Sequence, residues 1–141
     1  MVFSSSQLLA ILASTVAQFF VGAIWYTPLF GPLWGKIHGF DKLDKKTQQK
    51  MMSQMGPIFA VQIAVTIVTS IVLVLLHTAL PSYSITTLTF WIWLGFVVPA
   101  HVSGILFGNT PKKWLLTKSL IMAGGSFASL LVGAYVVSWM I

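Results

Sequence analysis

The chain has no cysteine, no glutamate and no arginine, and only two acidic residues, Asp41 and Asp44. The missing cysteine excludes disulfides, thiolate metal sites and cysteine nucleophiles. The scarcity of carboxylates excludes more. No apolar run carries an acidic residue, which argues against proton exchange of the usual Asp/Glu kind and so against a small multidrug antiporter. No paired carboxylates, HExxH motif, P-loop or nucleotide fingerprint is present. Serine and histidine occur, but nothing marks a nucleophile with its base. The expectation is a protein that is not an enzyme, with no catalytic residues, no metal site and no cofactor.

Charge is also scarce. Charged residues make up 7% of the 141 residues, where a soluble domain carries about 25%. Hydrophobic residues make up 57%. Eight lysines and two aspartates cannot clothe a water-facing surface, so the expected solvent is lipid. The net charge of +6 sits in short lysine blocks between apolar runs. That placement fits anionic headgroups and membrane topology, not nucleic acid.

Four apolar runs organise the sequence, at about 8–26, 57–80, 85–107 and 115–141. Each is near the ~20 residues that a helix needs to cross a bilayer. They are continuously apolar and do not alternate as barrel strands do. The only charge within them, Lys118, lies near an end where it can snorkel. The first run follows an uncharged segment and ends at Trp25–Tyr26 instead of a small-residue cleavage site, so it reads as a retained span. The fold class expected is all-α: an integral membrane four-helix bundle, with residues 1–141 as a single transmembrane domain.

Topology follows from lysine. Lys36, Lys42, Lys45, Lys46 and Lys50 lie between the first two runs, and Lys112, Lys113 and Lys118 flank the start of the fourth. The Pro81–Ser84 connection and both termini have none. The positive-inside rule then predicts both lysine loops in the cytoplasm and both termini outside. Within the cytoplasmic loop 27–56, the spacing of Leu43, Thr47, Met51 and Met55 predicts a short amphipathic helix over Asp41–Met55. Asp41 or Asp44 would cap it, and it would lie at the inner membrane surface or under the bundle.

The polar residues inside the runs are the candidates for function. Ala10, Ser14, Gln18 and Gly22 share a face of the first helix, Gln62, Thr66 and Ser70 a face of the second, and Gly125, Ser129 and Gly133 a face of the fourth. Such stripes of small and polar residues pack helices against each other, and they can also line a solute path. In the third run Pro99 cannot donate to the carbonyl of Gly95 and should kink the helix. His101 and Ser103 lie beside it, which makes a polar spot in the cytoplasmic half. His77 and His101 differ in depth by roughly 15 Å at 1.5 Å per residue, too far for two axial ligands of one haem. His38 falls in the inner loop and reads as solvated. Trp25, Tyr26, Pro28 and Trp34 form an inner-interface motif, either an aromatic belt, a rigid floor beneath the bundle or a cytoplasmic gate.

The run Gly22–Gly31, with Trp25–Tyr26–Thr27–Pro28–Leu29–Phe30, followed by Trp34, resembles the opening of the domain-of-unknown-function 1761 family of small bacterial membrane proteins. Trp93–Leu94–Gly95–Phe96, His101 and Leu106–Phe107 are similar to the same family. Early in the last helix this chain has Lys118–Ser119 where the family often has an Asn-like polar position. The resemblance implies a four-helix protein, in the bacterial inner membrane, and supplies no activity. There is also an internal echo. Leu29–Phe30–Gly31–Pro32 with Trp34 parallels Leu106–Phe107–Gly108 with Pro111 and Trp114.

The leading functional expectation is a small oligomeric channel or transporter-like protein. Its solute path would involve Gln18, Gln62, Thr66, Pro99, His101 and Ser103. The alternatives are a scaffold or accessory subunit for another membrane protein, and a lipid or cofactor binder. The expected partners are membrane lipids and either further copies of the chain or a different membrane protein.

Overall fold

A computed structural model describes residues 3–141. Among the described residues there are helices and turns and no strand. Four helical stretches are long and apolar enough to cross a membrane. They begin with α1, Ser5–Ile24, opened by a capping box. The Gln7 amide donates to Ser4 Oγ at 3.2 Å, and the Ser4 amide donates to Gln7 Oε1 at 2.9 Å. Two donors left over at the helix start are thereby satisfied.

The first stretch continues beyond α1 as a wide turn, Trp25–Leu29. There the Phe30 amide reaches back five residues to the Trp25 carbonyl at 2.9 Å. Pro28, which cannot donate, lies inside this turn. A second helix follows at once, α2, Gly31–Ile37, with Pro32 in its first turn. An N–H at that position would have no partner within the helix, so proline fits. The sequence predicted one helix between the first two spans, and the chain forms two. Gly31–Pro32 follows the end of one helix and starts another. Gly39, at φ 71°, closes α2 in the left-handed region that glycine adopts without strain.

Helix α3, Lys45–Ser53, occupies the heart of the predicted Asp41–Met55 segment. Of the two candidate caps it uses Asp44, whose carboxylate accepts from the Thr47 amide at 3.1 Å and from the Thr47 hydroxyl. None of its residues is buried. The second span is α4, Gly56–Ala79.

The third span is built in two pieces, α5, Ile85–Ile92, and α6, Val98–Phe107, joined by a second wide turn over Trp93–Val97. Pro99 therefore does not interrupt a continuous helix. The Val98 amide bonds back to Trp93 across the wide turn. Pro99 then falls in the first turn of α6, where its missing donor costs least. The last span is α7, Leu115–Met140.

Helix α7 is the centre of the bundle and touches all three other spans, whereas α5 and α4 barely meet. The apolar core lies toward the Pro81–Ser84 end, where Ala10, Ile11, Leu73, Val74, Ile85, Ala134 and Val137 pack together. Burial is uneven. The most apolar stretch of the third span is 6% buried, against 22% to 28% in the other three.

Candidate functional site

Four polar side chains stand one helical turn toward the lysine end from the apolar core. Gln18 Nε2 donates to Ser70 Oγ at 2.9 Å and to Ser14 Oγ at 3.1 Å. Thr15 Oγ1 donates to Ser70 Oγ at 3.0 Å, and Ser14 Oγ donates to the Gly133 carbonyl at 3.2 Å. All four residues are buried. A Cβ at Gly133 would stand 2.6 Å from Gln18 Nε2, so the glycine is the space that the amide fills. Ser129 Oγ donates to the Gln18 carbonyl at 3.4 Å. Most of the stripes read from the sequence are packing faces here, and the network they form ties α1, α4 and α7 together in the buried interior.

This arrangement separates the residues expected to share a solute path. Gln18 is enclosed among its partners. Gln62 is exposed on α4. Thr66 is buried, and its hydroxyl returns to the Gln62 carbonyl of its own helix at 2.8 Å. Pro99 and Ser103 are exposed on α6, and His101 is half-buried. Only His101 lines a cavity described below.

The inner-interface motif forms a floor against α7. Trp25 Nε1 donates to the Ile121 carbonyl at 3.0 Å. Its ring lies where Cβ atoms at Gly124 and Gly125 would stand, each 2.8 Å from a ring carbon. Tyr26 meets Trp34 edge-on at 5.0 Å, and Trp25 meets Phe30 at 4.8 Å. Trp93 repeats the device from the other wide turn. Its Nε1 donates to the Ala123 carbonyl at 3.0 Å and lies 3.1 Å from Ser126 Oγ, while its ring packs on Phe127 at 4.7 Å. Each wide turn thus opens with a tryptophan that clamps the same stretch of α7. The echo between the two halves is stronger here than in the Leu-Phe-Gly segments that carry it in the sequence.

Beyond this floor, toward the lysine end, a groove of about 350 Å³ opens between α2 and the α6–α7 pair. Trp34 and His38 line one wall; Ala100, His101, Gly104, Ile105, Lys118 and Met122 line the other. Lys118 Nζ stands 5.8 Å from the centre of the Trp34 ring. His38 stacks on the same ring at 4.4 Å. Its Nδ1 lies 2.9 Å from the Trp34 carbonyl, which can only accept, so Nδ1 carries the proton and Nε2 is left free. Lys118 Nζ also donates to Thr110 Oγ1 at 3.4 Å. His101 has no hydrogen-bond partner among the described residues. It lies about 9 Å in from the end of α6 at Phe107, at 1.5 Å per residue.

Neither carboxylate lines this groove. Asp44 is engaged in capping α3. Asp41 lines an adjoining depression of about 490 Å³ with Lys36, Lys42 and Lys113. The sequence reading of the site found His101 and Trp34; it read His38 as solvated, and His38 is exposed, and it read Lys118 as snorkelling, but it joined neither to this groove. The signal for Lys118 was its place as the sole charge within an apolar run. His38 had none, because its position depends on α2 turning back beneath the bundle.

No curated protein and no solved structure matches the chain. A family model described as Protein of unknown function (DUF1761) matches residues 9–137, nearly the whole length, and the chain belongs to that family.

Proposed function

We propose that this protein is a non-catalytic binding module of the bacterial inner membrane, with its termini outside and its lysine-rich end in the cytoplasm. It admits a small ligand from the cytoplasmic side and does not conduct through the bundle. The observation that carries this reading is the contrast along the bundle axis. The Ser14–Thr15–Gln18–Ser70 network and the core beyond it fill the space among α1, α4 and α7, while the lysine end holds a groove of ligand size. Lysine placement supports the orientation. Helix α3, exposed along its length with Met51 and Met52 open to the surroundings, suits a helix lying on the inner membrane surface.

The cysteine-free chain makes the test direct. With an impermeant thiol reagent, Gln49→Cys should react only from the cytoplasmic face and Ser82→Cys only from the outside. Proteoliposomes should show no flux of protons, potassium or glycerol above the lipid background. Labelling of Gln49→Cys from outside would overturn the orientation. A flux that disappears in Gln18→Leu would overturn the binding-module reading in favour of a channel.

A second reading, homo-oligomerisation through the third span, is favoured by what that span exposes. Gly95, Pro99, Ala100, Ser103 and Gly104 are exposed there beside large exposed side chains such as Trp91, Phe96 and Phe107. Small residues permit the backbone approach on which membrane helices associate. Ser103→Cys should give a disulfide-linked dimer on mild oxidation in native membranes, and a monomer under those conditions would count against assembly on this face.

A further inference from the structure

We propose that the groove is a binding site for a phosphate-bearing anion, gripped by Lys118, His38 and His101 above the face of Trp34. The inference rests on the binding-module reading and names its ligand class. The first ground is the inventory of the walls. Three nitrogen-bearing side chains from three helical segments face one space, and no carboxylate faces it with them. An ammonium donates three hydrogen bonds and accepts none, a neutral His101 donates from one ring nitrogen, and His38 donates from Nε2 only as the imidazolium that a bound anion beside it would favour. A wall of donors calls for a ligand of acceptors, and phosphate presents several oxygens with charge.

The second ground is the position of Lys118. It lies in the first helical turns of α7, where the helix dipole is positive and a cation is electrostatically misplaced. Nothing anionic in the chain offsets it: Asp44 caps another helix and Asp41 faces the next depression. Its partners within the described residues are the Thr110 hydroxyl and the Trp34 ring, neither of which neutralises it, and a charge that breaks a local rule in this way marks a functional position. The third ground is Trp34. Its ring carries Lys118 on one side and stacks with His38, so it orients two of the three nitrogen donors. The groove volume matches a headgroup or a small phosphate ester, not a whole lipid. Ala100 and Gly104 line it and are also exposed on α6, so it is reachable from the lipid side as well as from the lysine-end loops. The phosphate can therefore belong to an anionic lipid or to a soluble ester.

The test measures binding to the full-length protein by native mass spectrometry and by thermal shift. The two probes are inorganic phosphate in solution and phosphatidylglycerol in nanodiscs, with phosphatidylcholine nanodiscs as the blank. At least one probe should bind, and which one does identifies the source of the phosphate. Lys118→Gln and His101→Gln should each weaken binding tenfold or more. Lys118→Arg should retain most of it, and Lys46→Gln, a change on exposed α3, should alter it less than twofold. The melting temperature without ligand identifies any variant that has failed to fold, and the His101→Gln and Lys118→Arg pair then carries the comparison. Equal weakening by Lys46→Gln and Lys118→Gln would reduce the effect to a general basic surface and overturn the proposal. So would the absence of binding by either probe. If Gly104→Cys is still labelled from the cytoplasmic face when neither probe binds, the ligand class fails and the binding module stands. If Gly104→Cys is inaccessible, both fail.

Discussion

Toward the Pro81–Ser84 connection, the helices meet side chain to side chain, with Ala10, Val74, Ala134 and Val137 fully enclosed. Toward the lysine loops, the same helices meet through tryptophan rings, and the chain leaves a groove between α2 and α6–α7. Small residues serve both ends in different ways. At Gly133 the missing side chain admits an amide that completes a buried network. At Gly124 and Gly125 it admits an indole, which braces a helix across a gap without filling it. In lipid, association depends on close packing and interhelical hydrogen bonds, since apolar burial drives little. The packed end therefore carries the stability, and the braced end is free to carry a site.

The largest expected effect comes from breaking the packed end. Gly133→Leu places a branched side chain where Gln18 Nε2 would be 2.6 Å from its first carbon. Overpacking of this kind costs about 1–3 kcal/mol, and the melting temperature in detergent should fall accordingly. The same substitution at Gly104, which has open space around it, should leave melting nearly unchanged. Parity between the two would erase the distinction drawn here.

A smaller loss is expected from Gln18→Leu. It removes the donor to Ser14 and Ser70 while keeping the volume. Hydrogen bonds between membrane helices contribute about 0.6 kcal/mol each on average, so a loss of roughly 1 kcal/mol in denaturant titration is expected. Trp93→Phe should cost less again, about 0.6 kcal/mol, because the ring still packs on Phe127 when its donor to Ala123 is gone.

The smallest effect is local and depends on pH. The side-chain bond from Thr47, then the backbone bond, holds the Asp44 carboxyl below the usual carboxylate range. A carboxyl lowered in the folded state supports its helix above its unfolded value and loses that support as pH falls through the lowered one. Helix α3 should therefore fray at strongly acid pH while the four spans keep their helicity. Amide exchange confined to Lys45–Ser53 would show it, and Asp44→Asn, which caps without titrating, should remove the pH dependence. Fraying of α1 or α7 over the same range would contradict the separation.

Much of the packed end was legible in the sequence. Ser14 and Gln18, Thr66 and Ser70, and Gly125 and Gly133 recur at helical spacing, and burial follows those stripes. The rule reaches its limit at Gly22 and Gln62, which share the stripes but lie where the helices diverge. The braced end was legible only in parts. Pro28 and Pro99 announced breaks, yet each break is relieved by a wide turn that begins at a tryptophan, and no periodicity encodes that geometry. Trp25 and Trp93 look like interface residues by composition, and their bonds to α7 depend on partners 96 and 30 residues away, respectively. The groove was hidden for a similar reason. His38 reaches it only because α2 forms from seven residues, too short a pattern to be read with assurance.

The central claim is that one end of the bundle is closed and the other is accessible, and single-cysteine labelling in native membranes tests it most directly. Gly104→Cys and Ser70→Cys, each in the cysteine-free chain, should differ by at least tenfold in their rate with a small water-soluble maleimide added to the side that the lysine loops face. Gly104→Cys should be the faster. Comparable rates, or a faster reaction at Ser70→Cys, would contradict the account.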